Sequence, residues 1–148
     1  MSTYITNKKI GLDYEILERF EAGIKLSGIE VKSVRQNQGN LLGAHITVRG
    51  GEAYLMNAFI PPYQEKNTPA SYDPYRKRIL LLKKSELKSL ATQESQRGLT
   101  VVPISMYNKG RVIKVDIAIV RGKKKHDKRE TLKKRQSDRD VAREFRDR

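Results

Sequence analysis

Apolar and polar positions alternate through residues 13–23, DYEILERFEAG, where Tyr14, Ile16 and Phe20 recur at period two between charged residues and mark a half-buried strand. In the following LSGIEVKSVRQNQGN, Ser27 and Glu30 have the S-x-x-E spacing of a capping box, in which each side chain satisfies a free backbone N–H of a first helical turn. A helix stopping near Gly39 is expected there. Residues 44–49 and 52–57 read as two short strands around Gly50-Gly51, a pair that accepts the positive φ angles of a tight hairpin. IPPYQEKNTPASYDP has four prolines and no periodicity, so it reads as a loop.

RKRILLLKK then reads as a buried strand with basic ends. SELKSLATQESQRG reads as a helix with Leu87, Leu90 and Ala91 inward and Gly98 at its stop. A last hairpin pairs LTVVPISM with RVIKVDIAIV across YNKG, and Ile113, Val115, Ile117 and Ile119 share one face of its second arm. Six short strands in a chain of 148 residues most simply close into a barrel without a long exposed edge. The expected fold is therefore mainly β with flanking α: a six-stranded, OB-like antiparallel barrel.

The periodicity fails after Gly122. Over residues 123–148 the only clearly apolar side chains are Leu132, Val141, Ala142 and Phe145, too few to seat a helix against the barrel. Glu130 with Lys134, and Glu144 with Arg148, are i,i+4 pairs that each support a helix by about 0.2–0.5 kcal/mol. The chain thus divides into a folded part, 1–122, and a basic tail, 123–148, expected to be disordered when free and helical when a partner neutralises it.

Charge gives that division its meaning. Lys and Arg total 31 against 17 acids, a net +14, and such a surplus attracts polyanions. Half of it, +7 from 13 basic and 6 acidic residues, lies in residues 121–148. The absence of cysteine excludes disulfides, thiol catalysis and thiolate zinc sites. The N-terminus lacks the apolar stretch of a signal peptide, and runs such as ILLL are far too short to span a membrane, so a soluble cytoplasmic protein without membrane attachment is expected.

Catalysis finds little to work with. His45 and His126 are far apart and neither has a carboxylate cluster at metal-ligand spacing, Glu15, Glu18 and Glu21 read as a solvated strand face, and GKKK lacks the features of a phosphate-binding loop. No enzyme and no cofactor are expected. Lys8, Lys9, Lys25, Lys32, Arg35 and Lys114 lie on elements flanking the barrel, where phosphate contact is the usual function of such side chains. RNA is favoured over duplex DNA because there is no recognition-helix motif and small barrels serve single-stranded or folded RNA. In the tail, Lys124, Lys125, Lys128 and Arg129 would hold His126 near phosphates, where it could stack on a base. A ribosomal protein or general RNA chaperone with a basic tail is the alternative reading.

NKK near the start, FEAGIKLSGIEVKSVR, GNL, DPYRKRILLLKK, LTVVPISMY and KVDIAIVRGKKKHDKRE together resemble the SsrA-binding protein family, also called small protein B, in order and over nearly the whole chain. The resemblance implies a barrel that grips the tRNA-like domain of transfer-messenger RNA, and a tail that enters the decoding region and empty messenger channel of a stalled ribosome. It implies small-subunit ribosomal RNA as second partner, elongation factor Tu in the delivery complex, and a monomeric protein. By motif it assigns RNA binding to Asn7, Glu21, Lys32, Arg35, Asn40 and Lys114, and ribosome binding to Lys124, His126, Asp127, Lys128 and Arg129. Glu21 would accept hydrogen bonds from base or ribose, or fix a neighbouring lysine, while Glu30 has a sufficient explanation as a cap. Family members often have Arg-His where this chain has Gly11-Leu12.

Overall fold

In the computed structural model, which describes residues 2–64, 66 and 68–122, one antiparallel sheet contains seven strands rather than six. The extra strand, β1 (Thr3–Thr6), adds Ile5 to the core and pairs with β6 (Leu99–Lys109). A single helical turn, α1 (Ile10–Asp13), leads into β2 (Tyr14–Ile24). Then come α2 (Gly28–Arg35), β3 (His45–Arg49), β4 (Glu52–Met56), β5 (Arg78–Leu81), α3 (Lys84–Glu94), β6 and β7 (Val112–Gly122). The hydrogen-bonded order is β1-β6-β7-β2-β5-β4-β3. The sheet curls so that β3 approaches β6 without a ladder, and α3 packs on both. At that edge the Val48 N–H donates to Glu94 Oε2 at 2.9 Å, so a carboxylate takes the place of a strand partner.

Ile113, Val115, Ile117 and Ile119 enter the main core as the alternation predicts. Tyr14, Ile16 and Phe20 do not share a face. A bulge between Ile16 and Glu18 shifts the register, because an extra residue reverses the inward and outward positions beyond it. Phe20 and Ala22 therefore join the main core, whereas Tyr14 and Ile16 pack with Ile10, Val102, Ala118 and Val120 in a second cluster on the other side of β7.

The capping box forms: the Ser27 N–H donates to Glu30 Oε1 at 2.9 Å, and the Glu30 N–H to Ser27 Oγ at 3.4 Å. The helix ends at Arg35, short of Gly39. Asn37 takes φ +60°, with Asn37 N–H donating to Val34 O and Gln38 N–H to Ser33 O, the 5→2 and 6→1 bonds of a Schellman stop. Gly39 serves a different purpose, since a Cβ there would lie 2.6 Å from Ile5 Cδ1 and 3.0 Å from Phe59 O. Gly50 and Gly51 both have positive φ in the β3–β4 turn, as expected. In α3, Leu90 is buried and Leu87 packs on the core, but Ala91 is exposed, and the helix ends at Glu94, ahead of Gly98. YNKG is not the last hairpin's connection: β6 continues through Lys109, and the turn is Gly110-Arg111.

The basic end of β5 departs most from expectation. Arg78 is fully buried, as is Glu30, and its Nε donates to Glu30 Oε2 at 2.6 Å. Its other nitrogens donate to Ala58 O at 2.7 Å and Pro74 O at 2.9 Å, at either end of the proline-rich loop. Arg76 adds a bond to each Glu30 oxygen. Burial pushes the Glu30 carboxyl up, but bonds from Arg76 and the Ser27 N–H, with the charge of Arg78, outweigh it and hold the group below its ordinary value. A residue legible as a helix cap is therefore also the centre of an ion triad that fastens the loop to α2.

Candidate nucleic-acid interface

Beyond the bulge, the period of two puts Arg19, Glu21 and Gly23 of β2 on the sheet face opposite Phe20 and Ala22. Across the ladders Glu21 lies opposite Asp116, and Lys114 lies between Gly23 and Tyr107. Of the six expected RNA-binding residues, Glu21 and Lys114 are thus brought together on this outer face. They flank a cleft of about 490 Å³ with Leu81, Leu82, Lys83 and Glu86, so the start of α3 contributes a further cation.

Both Glu21 oxygens are occupied. Tyr107 OH donates to Oε2 at 2.6 Å and Lys109 Nζ to Oε1 at 2.9 Å. The Tyr107 bond, then that of Lys109, lowers the Glu21 pKa from its ordinary value, helped by the charges of Lys109 and Lys114. The Tyr107 phenol is pushed well up, first by burial and then by its bond to Glu21. Burial raises Asp116 as well, against the opposing charge of Arg19 at 3.8 Å. Glu21 thus holds a neighbouring lysine, Lys109.

The other four expected residues lie elsewhere. Lys32 and Arg35 lie in the last turn of α2, where their charges also suit the negative end of the helix dipole. Lys32 Nζ stands 5.9 Å from the ring centroid of Tyr63, and Arg35 donates to Arg111 O at 3.2 Å, which joins α2 to the β6–β7 turn. Asn7 and Asn40 meet at a corner. The Asn7 side chain donates to Leu41 O at 3.2 Å and Pro103 O at 3.3 Å, while Asn40 Oδ1 accepts from the Leu42 N–H at 2.8 Å. Both asparagines thereby shape the turn that leads into β3. Lys124, His126, Asp127, Lys128 and Arg129 lie outside the described residues.

Tyr107 and Lys109 are the residues that sequence reasoning missed. They fell within a presumed hairpin connection, and the available signal was period two running on from Ser105 through Tyr107 to Lys109. Among the described residues no group of His, Cys, Asp and Glu is placed to hold a metal ion, and no helix is long and apolar enough to cross a membrane. What the face offers is exposed cations, an oriented tyrosine and a carboxylate already neutralised by its donors, an arrangement suited to phosphate contact and stacking.

Residues 4–147 match the family model described as SmpB protein. The chain is 52% identical over 130 residues to an SsrA-binding protein of Microcystis aeruginosa (strain NIES-843), covering 88% of this chain and 84% of that protein. It is 46% identical over 142 residues to an SsrA-binding protein of Latilactobacillus sakei subsp. sakei, covering 96% and 90%. A solved structure described as "tmRNA-SmpB: a journey to the center of the bacterial ribosome" superposes with a TM-score of 0.69 at 42% identity, over 86% of this chain and 93% of that one.

Proposed function

The chain belongs to the SmpB protein family, and from that premise we propose that it is an RNA-binding protein, without a reaction of its own, that delivers transfer-messenger RNA to stalled ribosomes. The observation that carries this reading is the extent of the likeness, which runs through body and basic tail alike, from residue 4 to residue 147. In this reading the body, residues 1–122, grips the tRNA-like domain. Glu21 and Lys114 belong to the outer sheet face, Lys32 and Arg35 to the end of α2, and Asn7 and Asn40 to the corner before β3.

The tail, residues 123–148, reaches a second RNA. Lys124, Lys128 and Arg129 neutralise ribosomal phosphates around the decoding region, with His126 stacked on a base and Asp127 accepting from a base or sugar. Charge and stacking there replace the codon–anticodon pairs that a stalled ribosome lacks. Elongation factor Tu joins the delivery complex, the protein acts as a monomer, and its place of work is the cytoplasm.

A binding titration at fixed salt tests the reading, comparing the tRNA-like fragment of transfer-messenger RNA with ordinary tRNA. We expect at least about tenfold preference for the former, equivalent to about 1.4 kcal/mol. Equal affinity for the two would instead describe a general RNA chaperone.

A further inference from the structure

An acidic residue on a surface that meets a polyanion is costly unless something nearby cancels it. At Glu21 the cancelling groups are in place: one oxygen takes the Tyr107 hydroxyl at 2.6 Å, the other the Lys109 ammonium at 2.9 Å, and Lys114 lies across the ladder from Tyr107. These donors use one acceptor position on each oxygen, and a direct bond from Glu21 to RNA through the positions left would bring a carboxylate among phosphates. Resting on the transfer-messenger RNA reading above, we propose that Tyr107 and Lys109 are groups of this face that touch the RNA, and that Glu21 is a positioning residue acting through them.

The geometry gives each group a distinct task. With its hydroxyl held, Tyr107 is fixed in orientation and its ring remains to stack on a base or ribose. Lys109 is the last residue of β6, beside the Gly110-Arg111 turn, and its side chain is 57% exposed. An ammonium has three donors, of which the bond to Glu21 uses one, leaving two for a phosphate. A long lysine chain loses side-chain entropy when it is immobilised at an interface, and Glu21 holds that chain in place before the RNA arrives.

A double-mutant cycle separates positioning from contact, using affinity for the tRNA-like fragment of transfer-messenger RNA at fixed salt. In the wild-type background Glu21→Ala should weaken binding about tenfold, because two side chains must then be ordered at the interface. Glu21→Gln keeps one accepting oxygen and should fall between wild type and Glu21→Ala. Lys109→Ala should flatten the slope of log K against log salt by about one phosphate's worth. The decisive arm is Glu21→Ala in a Tyr107→Ala/Lys109→Ala background, where Glu21 is left as an uncancelled charge. Its removal there should leave affinity unchanged or improve it. An equal tenfold loss in both backgrounds would mean that Glu21 contacts the RNA directly, and would overturn the proposal while leaving the RNA reading intact. Failure of the wild-type protein to bind the fragment would overturn both. Urea unfolding of each variant checks the fold. If the double variant does not fold, the Lys109→Ala background replaces it, where the loss from Glu21→Ala should shrink to the part carried through Tyr107 and an undiminished tenfold loss would overturn the proposal.

Discussion

Replacing Arg78 by Met keeps an unbranched side chain of similar length but removes the charge and all three of the bonds described to Glu30, Ala58 and Pro74. Breaking a buried pair by removing one partner costs about 3–5 kcal/mol, since the remaining ion is left without compensation. Here Arg76 and the Ser27 N–H still serve Glu30, which reduces that term, while the carbonyls of Ala58 and Pro74 lose a donor at about 1–3 kcal/mol each if no water replaces it. A net loss of about 4 kcal/mol is expected, a large share of the 5–15 kcal/mol typical of a small domain. Urea unfolding followed by circular dichroism measures it. Hydrogen exchange should show the Ile60 amide, which donates to Pro74 O, losing protection along with the proline-rich loop. Changing Glu30 to Met as well removes the stranded carboxylate, so the double variant should recover part of the loss. A stability for Arg78→Met within about 1 kcal/mol of wild type would refute the argument that this pair is buried and charged.

The remaining expectations are more direct. Because Glu30 is held below its ordinary pKa, its contribution is present above the unfolded value near 4.5 and is lost as pH falls through the folded value; an acid titration of stability in Glu30→Gln should lack that component. Gly39→Ala places a Cβ against Ile5 and Phe59 at φ +142° and should cost about 1–3 kcal/mol in the same urea assay. A chain ending at Gly122 should unfold cooperatively and retain most affinity for the tRNA-like fragment, since both predicted helices and all described strands lie within it. Changing His126, Asp127, Lys128 and Arg129 to Ala in the full chain should spare that affinity yet abolish peptide tagging in a reconstituted assay of stalled ribosomes.

Elements whose pattern repeats several times within one segment were legible in the sequence. Ile113 to Ile119 fixed a face by four repeats, Ser27 and Glu30 marked a helix start three residues apart, and Gly50-Gly51 marked a hairpin by local φ alone. What escaped was either too short or too distant. TYIT offers a single inward residue, Ile5, and IGLD is one turn, so neither has a period to detect. The bulge was hidden because Leu17 is itself apolar and extends the run YEIL without a mark. Glu30 and Arg78 are separated by 48 positions, and an arginine at the end of a basic stretch looks solvated until the chain folds over it. For the candidate site, motif resemblance located Glu21 and Lys114, but Tyr107 and Lys109 lie 86 and 88 residues from Glu21 and became visible only through the ladders of β7.

The bulge in β2 leaves the two ends of one strand out of phase. Upstream of Leu17, even-numbered side chains close the small cluster over Ala118 and Val120, and downstream they fill the main core. Deleting Leu17, an exposed side chain that packs in neither, would restore one phase to the whole strand. Ile16 would then directly precede Glu18, and their partners Val120 and Ile119 are already adjacent on β7. Tyr14 and Ile16 would so keep their places beside Ile10 while Phe20 and Ala22 kept theirs in the main core. The loss of this one surface residue should thus be easier to bear than the loss of a buried methyl group, because Leu17 is a spacer between two half-strands that each already match β7 rather than a filler of space.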